Sequence, residues 1–268
     1  MCTTTKNYAR TGLVNINTAN ANLDGTGSLG AVLTVSPPGE GVSINAITIK
    51  AIGNTTQGMV RLFRHDGSNY FLWKEVNIPA NTQTAVVPAF QITIKENLVL
   101  NNGDTLYAST QNAESFNIYA NGLGWINCDC TSTCTCAESQ SFAHTGITTV
   151  SQANTHLDGS GAINLVITSP TGSALDYGTY IPTIDIKALQ STTEGMIRLY
   201  IYDGTTYFCI WEVPICGSTQ TAVEPSFRGQ CITNMSIQPG FSLAASTQNA
   251  ESFNIITFGT DLINCPCP

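Results

Sequence analysis

The chain has 268 residues, a formal net charge of −8 and a pI near 4.7, with its few Lys and Arg scattered along its length, which excludes a surface built to track nucleic-acid phosphates. Charged residues make up 10% of the sequence, against about 25% in an average soluble domain; Thr, Asn, Ser and Gln supply the polarity instead, and they suit strands and turns better than helices. No segment approaches the roughly 20 apolar residues of a membrane span, so no membrane partner is expected.

The opening residues MCTTTKNYARTG carry no apolar stretch behind their charges and read as an N-terminal arm (residues 1–10) rather than a secretory signal, which implies synthesis in a cytoplasm. Ten cysteines are many for a reducing compartment.

An internal repeat organises the rest. ASTQNAESFNI occurs at Ala108 to Ile118 and again at Ala245 to Ile255, an offset of 137 (245 minus 108). The same offset relates Lys50 to Lys187, Arg61 to Arg198, Asp66 to Asp203, Trp73 to Ile210, Phe90 to Phe227 and Cys128 to Cys265. Nearer the start LDGTG at Leu23 matches LDGSG at Leu157 with an offset of 134 (157 minus 23), so the second copy gains three residues before Lys187. These are expected to lengthen the loop around SPTGSALDYGTY. Each copy, at about 120 residues, has the size of a β-sandwich domain with its own core. The expected domains run over residues 11–127 and 145–264, joined by a Cys-rich linker (128–144) and followed by a CPCP tail (265–268).

Taken in chain order, Ile47, Ile49 and Ala51 alternate with Thr48 and Lys50, and Ile184, Ile186 and Ala188 alternate around Asp185 and Lys187. That period of two predicts strands with one face buried and the other wet. Next, MVRLF and YFLWKEV flank RHDGSN, as MIRLYIY and YFCIWEV flank DGTT; Asp-Gly between β-rich runs signals a hairpin. PAFQITI, the NNGD turn before LYAST, and FNIYA follow, and no window shows a helical period. The predicted class is all-β, two tandem antiparallel β-sandwich domains, jelly-roll-like.

A catalytic site needs a base, and the histidines are His65, His144 and His156, none with a His in the other copy. His65 reads as a hairpin residue and His156 as a loop residue. The acids shared by both copies are Asp24 with Asp158, Asp66 with Asp203, Glu75 with Glu212, and Glu114 with Glu251. A glycosidase-like pair could be drawn from them. Yet each Asp precedes Gly, where an Asx turn explains it, and Glu114 reads as a bonded loop anchor. LDGTG and HDGSN lack the alternating oxygen ligands that calcium needs. No catalytic, cofactor-binding or metal-binding residue is assigned, no cofactor is implied, and the chain is expected not to be an enzyme. The repeated eleven residues read first as a scaffold loop and second as a shared binding edge.

Cys128, Cys130, Cys134 and Cys136 form C-x-C-x3-C-x-C, which could wrap one zinc, although structural zinc sites favour C-x2-C. Disulfides within the linker, to Cys2 or to a neighbouring chain's tail are the competing account, and free thiols a third; Cys265 and Cys267 of the tail share these alternatives. Cys209 stands at the place of Leu72 and Cys216 at that of Pro79, so both are expected at ordinary strand or loop positions, with core packing their default.

Each copy resembles a domain common in tailed-phage and prophage structural proteins. TANANLDGTG, IKAIGNTTQGMVRLFRHDGSNYFLWKEV and LYASTQNAESFNI carry the resemblance in the first copy, and LDGSG, IKALQSTTEGMIRLYIYDGTTYF and LAASTQNAESFNI in the second. The resemblance implies a multimeric virion component of β-sandwich fold: a capsid decoration protein, a head fibre or a tail-associated adhesin. Its partners would be the major capsid protein or other virion proteins, further copies of itself as a homo-oligomer, and, for an adhesin, host surface glycans reached through loops such as NGLGWIN. The Cys-rich linker and the CPCP tail depart from the family pattern.

Overall fold

The computed structural model describes residues 2–36, 41–130, 140–171, 176–221 and 223–263, and every regular element among them is a β-strand. The first domain holds β1 (Cys2–Ile16), β2 (Gly30–Thr34), β3 (Gly41–Ala51), β4 (Gly58–His65), β5 (Tyr70–Ile78), β6 (Gln91–Ile94), β7 (Leu98–Asn101), β8 (Thr105–Thr110) and β9 (Phe116–Cys130). The second holds β10 (Gln140–Val150), β11 (Asn164–Thr168), β12 (Asp176–Ala188), β13 (Gly195–Tyr202), β14 (Tyr207–Ile215), β15 (Arg228–Ile237), β16 (Ser242–Thr247) and β17 (Phe253–Ile263).

Pairing is nested in both domains and antiparallel throughout. In the first, β1 pairs β9, β2 pairs β8, β3 pairs β6 and β7, and β4 pairs β5. In the second, β10 pairs β17, β11 pairs β16, β12 pairs β15, and β13 pairs β14. A long hairpin that rolls up in this way gives sheets β1-β9-β3-β6 and β2-β8-β4-β5, repeated as β10-β17-β12-β15 and β11-β16-β13-β14. This is the jelly-roll arrangement, and two tandem copies of it confirm the all-β, two-sandwich expectation. The copies differ where β6 and β7 of the first domain become the single strand β15 of the second, which absorbs the break through Asn234 in the left-handed region (φ 44°).

The predicted alternation holds on the core side. Ile47, Ile49 and Ala51 point into one core with Val60 and Leu62, and Ile184, Ile186 and Ala188 into the other with Ile197 and Leu199. Burying such side chains contributes about 1.5–3 kcal/mol each.

The hairpins follow their sequence signals. Asp66 Oδ1 accepts from the amides of Ser68 (2.9 Å) and Asn69 (2.8 Å), and Asp203 Oδ1 from those of Thr205 and Thr206 (both 2.8 Å). The LDG(T/S)G turns need Gly25 and Gly159 at φ of 79° and 86°, where a Cβ would also strike Tyr70 and Tyr207.

The domain boundaries shift from the sequence reading. Residues 2–10 are not a separate arm: they form the outer half of edge strand β1, in register with β9 from Arg10 opposite Gly122 to Cys2 opposite Cys130. A Thr-rich run of high strand propensity simply continues the ladder while a partner strand is present. Likewise β10 begins at Gln140, inside the stretch read as linker; residues 131–139 lie outside the described residues. The three extra residues of the second copy fall between β11 and β12, where 172–175 also lie outside them.

Candidate interdomain junction

Both copies build the same unit around one buried arginine. In the first domain Arg61 on β4 donates from Nε to Glu75 Oε1 (2.9 Å), from Nη1 to the Asn20 carbonyl (3.3 Å) and from Nη2 to Gln111 Oε1 (3.3 Å). In the second, Arg198 on β13 donates to Glu212 Oε1 (3.0 Å), the Asn154 carbonyl (2.6 Å) and Gln248 Oε1 (3.1 Å). Arginine's planar fork suits such multi-partner fixation. The unit ties the repeated ASTQNAESFNI segment, through its Gln, to β4 or β13.

The copies part at one point. Lys50 Nζ, on the side of β3 away from its own core, donates to Glu212 Oε2 of the second domain (2.7 Å) and to the Ala89 carbonyl (2.9 Å). Both the Lys50 and the Glu212 side chains are 0% exposed. Glu212 Oε2 also accepts from the Ala89 amide (2.8 Å), and the Glu212 amide donates to Gln91 Oε1 (3.2 Å). Glu212 is thus held between two cations, Lys50 and Arg198, across a domain boundary.

Further contacts extend the junction. Asn117 Nδ2 donates to the Cys209 carbonyl (3.0 Å) and Gln248 Nε2 to the Ala85 carbonyl (3.0 Å). Thr11 Oγ1 (2.8 Å) and the buried Tyr119 hydroxyl (3.1 Å) both donate to the Ser236 carbonyl. The apolar cluster of the first domain continues into Leu157, Tyr200, Cys209 and Ala244 of the second, and Ala9 packs where Gly178 lacks a side chain. The outer face of β3, read as wet from its alternation, is therefore dry at Thr48 and Lys50, because the second domain covers it.

The residues weighed as chemical groups are engaged in structure. Glu114 Oε1 accepts from the Thr56 amide (2.7 Å) and Glu251 Oε1 from the Thr193 amide (2.8 Å), each also taking the hydroxyl of the same Thr. Asp24 and Asp158 cap their turns through Thr26 and Ser160, whose side-chain and backbone hydrogen bonds hold both carboxyls below the ordinary aspartate value. His65 sits beside Tyr70 (ring centroids 4.3 Å apart), and the His156 amide donates to Asn154 Oδ1 (2.9 Å). Sequence reasoning gave His144 no role; on β10 its Nδ1 lies 2.8 Å from Asp261 Oδ1, which also accepts from Thr179 Oγ1 (2.6 Å). The positions matching His144 and Asp261 in the first copy are Arg10 and Gly124, so repeat comparison could not reveal the pair.

Cys209 is buried at the junction, and burial pushes its thiol up to about 12. Cys216, assigned to core packing from its alignment with Pro79, is instead exposed, because it follows the end of β14. Cys128 and Cys130 end β9, opposite Thr4 and Cys2 in the ladder; the side chains of Cys2, Cys128 and Cys130, and all of Cys134, Cys136, Cys265 and Cys267, lie outside the described residues.

A cleft of about 340 Å³ opens between the domains, with Asn45, Lys95, Asn121, Tyr180, Trp211 and Asn234 among its lining residues. Asn121 Nδ2 donates to the Asn234 carbonyl (3.1 Å) and the Tyr180 hydroxyl to Asn234 Oδ1 (2.8 Å).

No family model and no curated protein matches the sequence. Among solved structures the chain is similar to an archaeal-virus protein of triple jelly-roll fold and turret assembly (12% identity, TM-score 0.27), of which it spans 60% with 94% of its own length. It is also similar to the major capsid protein P2 of bacteriophage PM2 (10% identity, TM-score 0.23, 94% of this chain and 98% of that one). A third likeness is to the tandem CBM22-1–CBM22-2 domain of Paenibacillus barcinonensis Xyn10C (9% identity, TM-score 0.25, 97% and 93%).

Proposed function

We propose that this protein is a non-enzymatic virion structural protein of the tailed-phage kind, a capsid decoration or head-fibre protein whose duplicated jelly rolls bind the head lattice. The observation that carries the reading is the junction itself. Two copies of one fold are fixed to each other by the fully buried Lys50–Glu212–Arg198 cluster, so they present repeated surfaces at a set spacing rather than on a loose tether. A rigid pair of similar domains suits a repeating surface, because the second contact forms at high effective concentration once the first is made. The shared acids are engaged as turn caps, loop anchors and arginine partners, which supports a role without catalysis. The sequence resemblance across both copies points the same way.

The cleft favours a second reading, a tail-associated adhesin. An aromatic wall at Trp211 beside amide and hydroxyl groups is chemistry suited to a sugar ring.

Co-sedimentation separates the two. Saturable binding of the purified protein to isolated heads supports the decoration reading. Saturable binding to host cells or their glycans, with none to heads, replaces it with the adhesin.

A further inference from the structure

The internal duplication provides its own control for what the interdomain contact covers, and each domain keeps an open copy of the face that the other domain uses. Glu212 sits on β14, and the first domain buries β14 and its surroundings. The equivalent strand in the first domain is β5, which carries Glu75 and leaves Phe71 and Leu72 exposed. Leu157 is 6% exposed and its counterpart Leu23 54%; Cys209 is 0% exposed and its counterpart Leu72 36%. Tyr70 and Phe71 are exposed in the same way, where Tyr207 and Phe208 are half-buried. The result is an apolar patch around a carboxylate.

The opposite face behaves likewise. Lys50 and its neighbours Thr11, Asn117 and Asn121 are buried by the second domain. Their counterparts Lys187, Thr145, Asn254 and Phe258 are half-buried or exposed, and Phe258 is 52% exposed. Lys187 Nζ keeps the local bond, to the Ser226 carbonyl (2.8 Å), that matches the Lys50 bond to Ala89. Among the described residues it has no carboxylate partner, and Glu75 has Arg61 alone.

Were the two domains related by a two-fold, Lys187 would meet Glu75 within the same chain. It does not, so the contact is heterologous, with different surfaces on its two sides, and it leaves one of each unpaired.

We infer that the chain self-associates head to tail, the Lys187 face of one copy docking on the Glu75 face of the next in the geometry of the Lys50–Glu212 junction. The occupant is a second copy, on three grounds: complementary charge, the apolar patch around Glu75, and the continuity of both faces with a contact already present. Heterologous contacts of this kind close into a ring or run on as a filament. The inference stands on the junction alone, wherever in a particle the protein resides.

The test is sedimentation velocity of the full chain over a range of concentrations, in reducing buffer so that intermolecular disulfides do not contribute. The wild type should associate reversibly. Glu75→Lys and Lys187→Glu should each weaken association by at least about thirtyfold, while the double variant should recover it because the pair is restored with reversed sign, and an equimolar mixture of the two single variants should recover it through alternating native and reversed pairs. Leu72→Asp and Phe258→Asp, on side chains already open to solvent, should weaken association without the burden of a charge beside Arg61. A wild type that stays monomeric throughout would overturn the inference, as would association that none of these changes affects.

Discussion

The ammonium of Lys50 lies 2.7 Å from the carboxylate of Glu212, both side chains fully buried, although the two residues stand on different domains and 162 positions apart. Because Glu212 also takes Arg198, it is the shared anion of two buried cations. Removing one partner of a buried pair leaves an uncompensated charge and costs about 3–5 kcal/mol. Glu212→Gln strands both Lys50 and Arg198, whereas Lys50→Met leaves Arg198 to compensate the carboxylate. Chemical denaturation should therefore show Glu212→Gln as the more destabilising of the two, and equal losses would contradict the shared-anion arrangement.

Cys209 reports on whether the junction is closed. Its thiol is buried against the first domain and raised to about 12 by that burial, and a thiolate is the form that alkylates. At neutral pH the folded protein should label quickly at exposed Cys216 and negligibly at Cys209, as read by peptide mass spectrometry after iodoacetamide. Glu212→Gln should raise Cys209 labelling by opening the contact.

The turn-capping aspartates contribute to the acid limb of stability. Hydrogen bonds from Ser160, side chain first and then backbone, lower the Asp158 carboxyl, so its folded value lies beneath its unfolded one. A group depressed in this sense stabilises the fold above the unfolded value, near 3.8, and loses that contribution as pH falls through the folded value. Stability should be level from neutral pH down to about 5 and then decline, and Asp158→Asn should flatten part of that decline while lowering stability at neutral pH.

Glu251 is a loop anchor, with two hydrogen bonds from Thr193. Glu251→Ala removes both bonds to Thr193, at a cost of about 0.5–1.5 kcal/mol for each, while Glu251→Gln keeps an acceptor and should cost less. A thermal melt of both variants checks the order. Replacing Glu114 and Glu251 together should leave any hydrolytic activity in the preparation unchanged.

Much of the fold was legible because its signals are local. The alternation at Ile47, Ile49 and Ala51, the Asp-Gly hairpins and the repeated ASTQNAESFNI segment each announce themselves within a few residues, and the duplication follows from the last. Strand pairing was not legible, since period-two alternation says which face is buried and nothing about which strand lies alongside. The junction was hidden for a related reason. Lys50 and Lys187 sit in matching contexts, so nothing near either one tells which will be sealed by a neighbouring domain. The divergences that mark the difference, Leu72 against Cys209 and Asn121 against Phe258, gain meaning only once the domains are placed together. The N-terminal residues were misread because a polar, Thr-rich run looks like an arm until a partner strand is known.

A structural role in a virus particle can be checked by immunogold labelling of purified particles combined with quantitative proteomics for copy number. Dense, symmetric labelling over the head at high copy number is the expected result. Absence of the protein from the particles would contradict it.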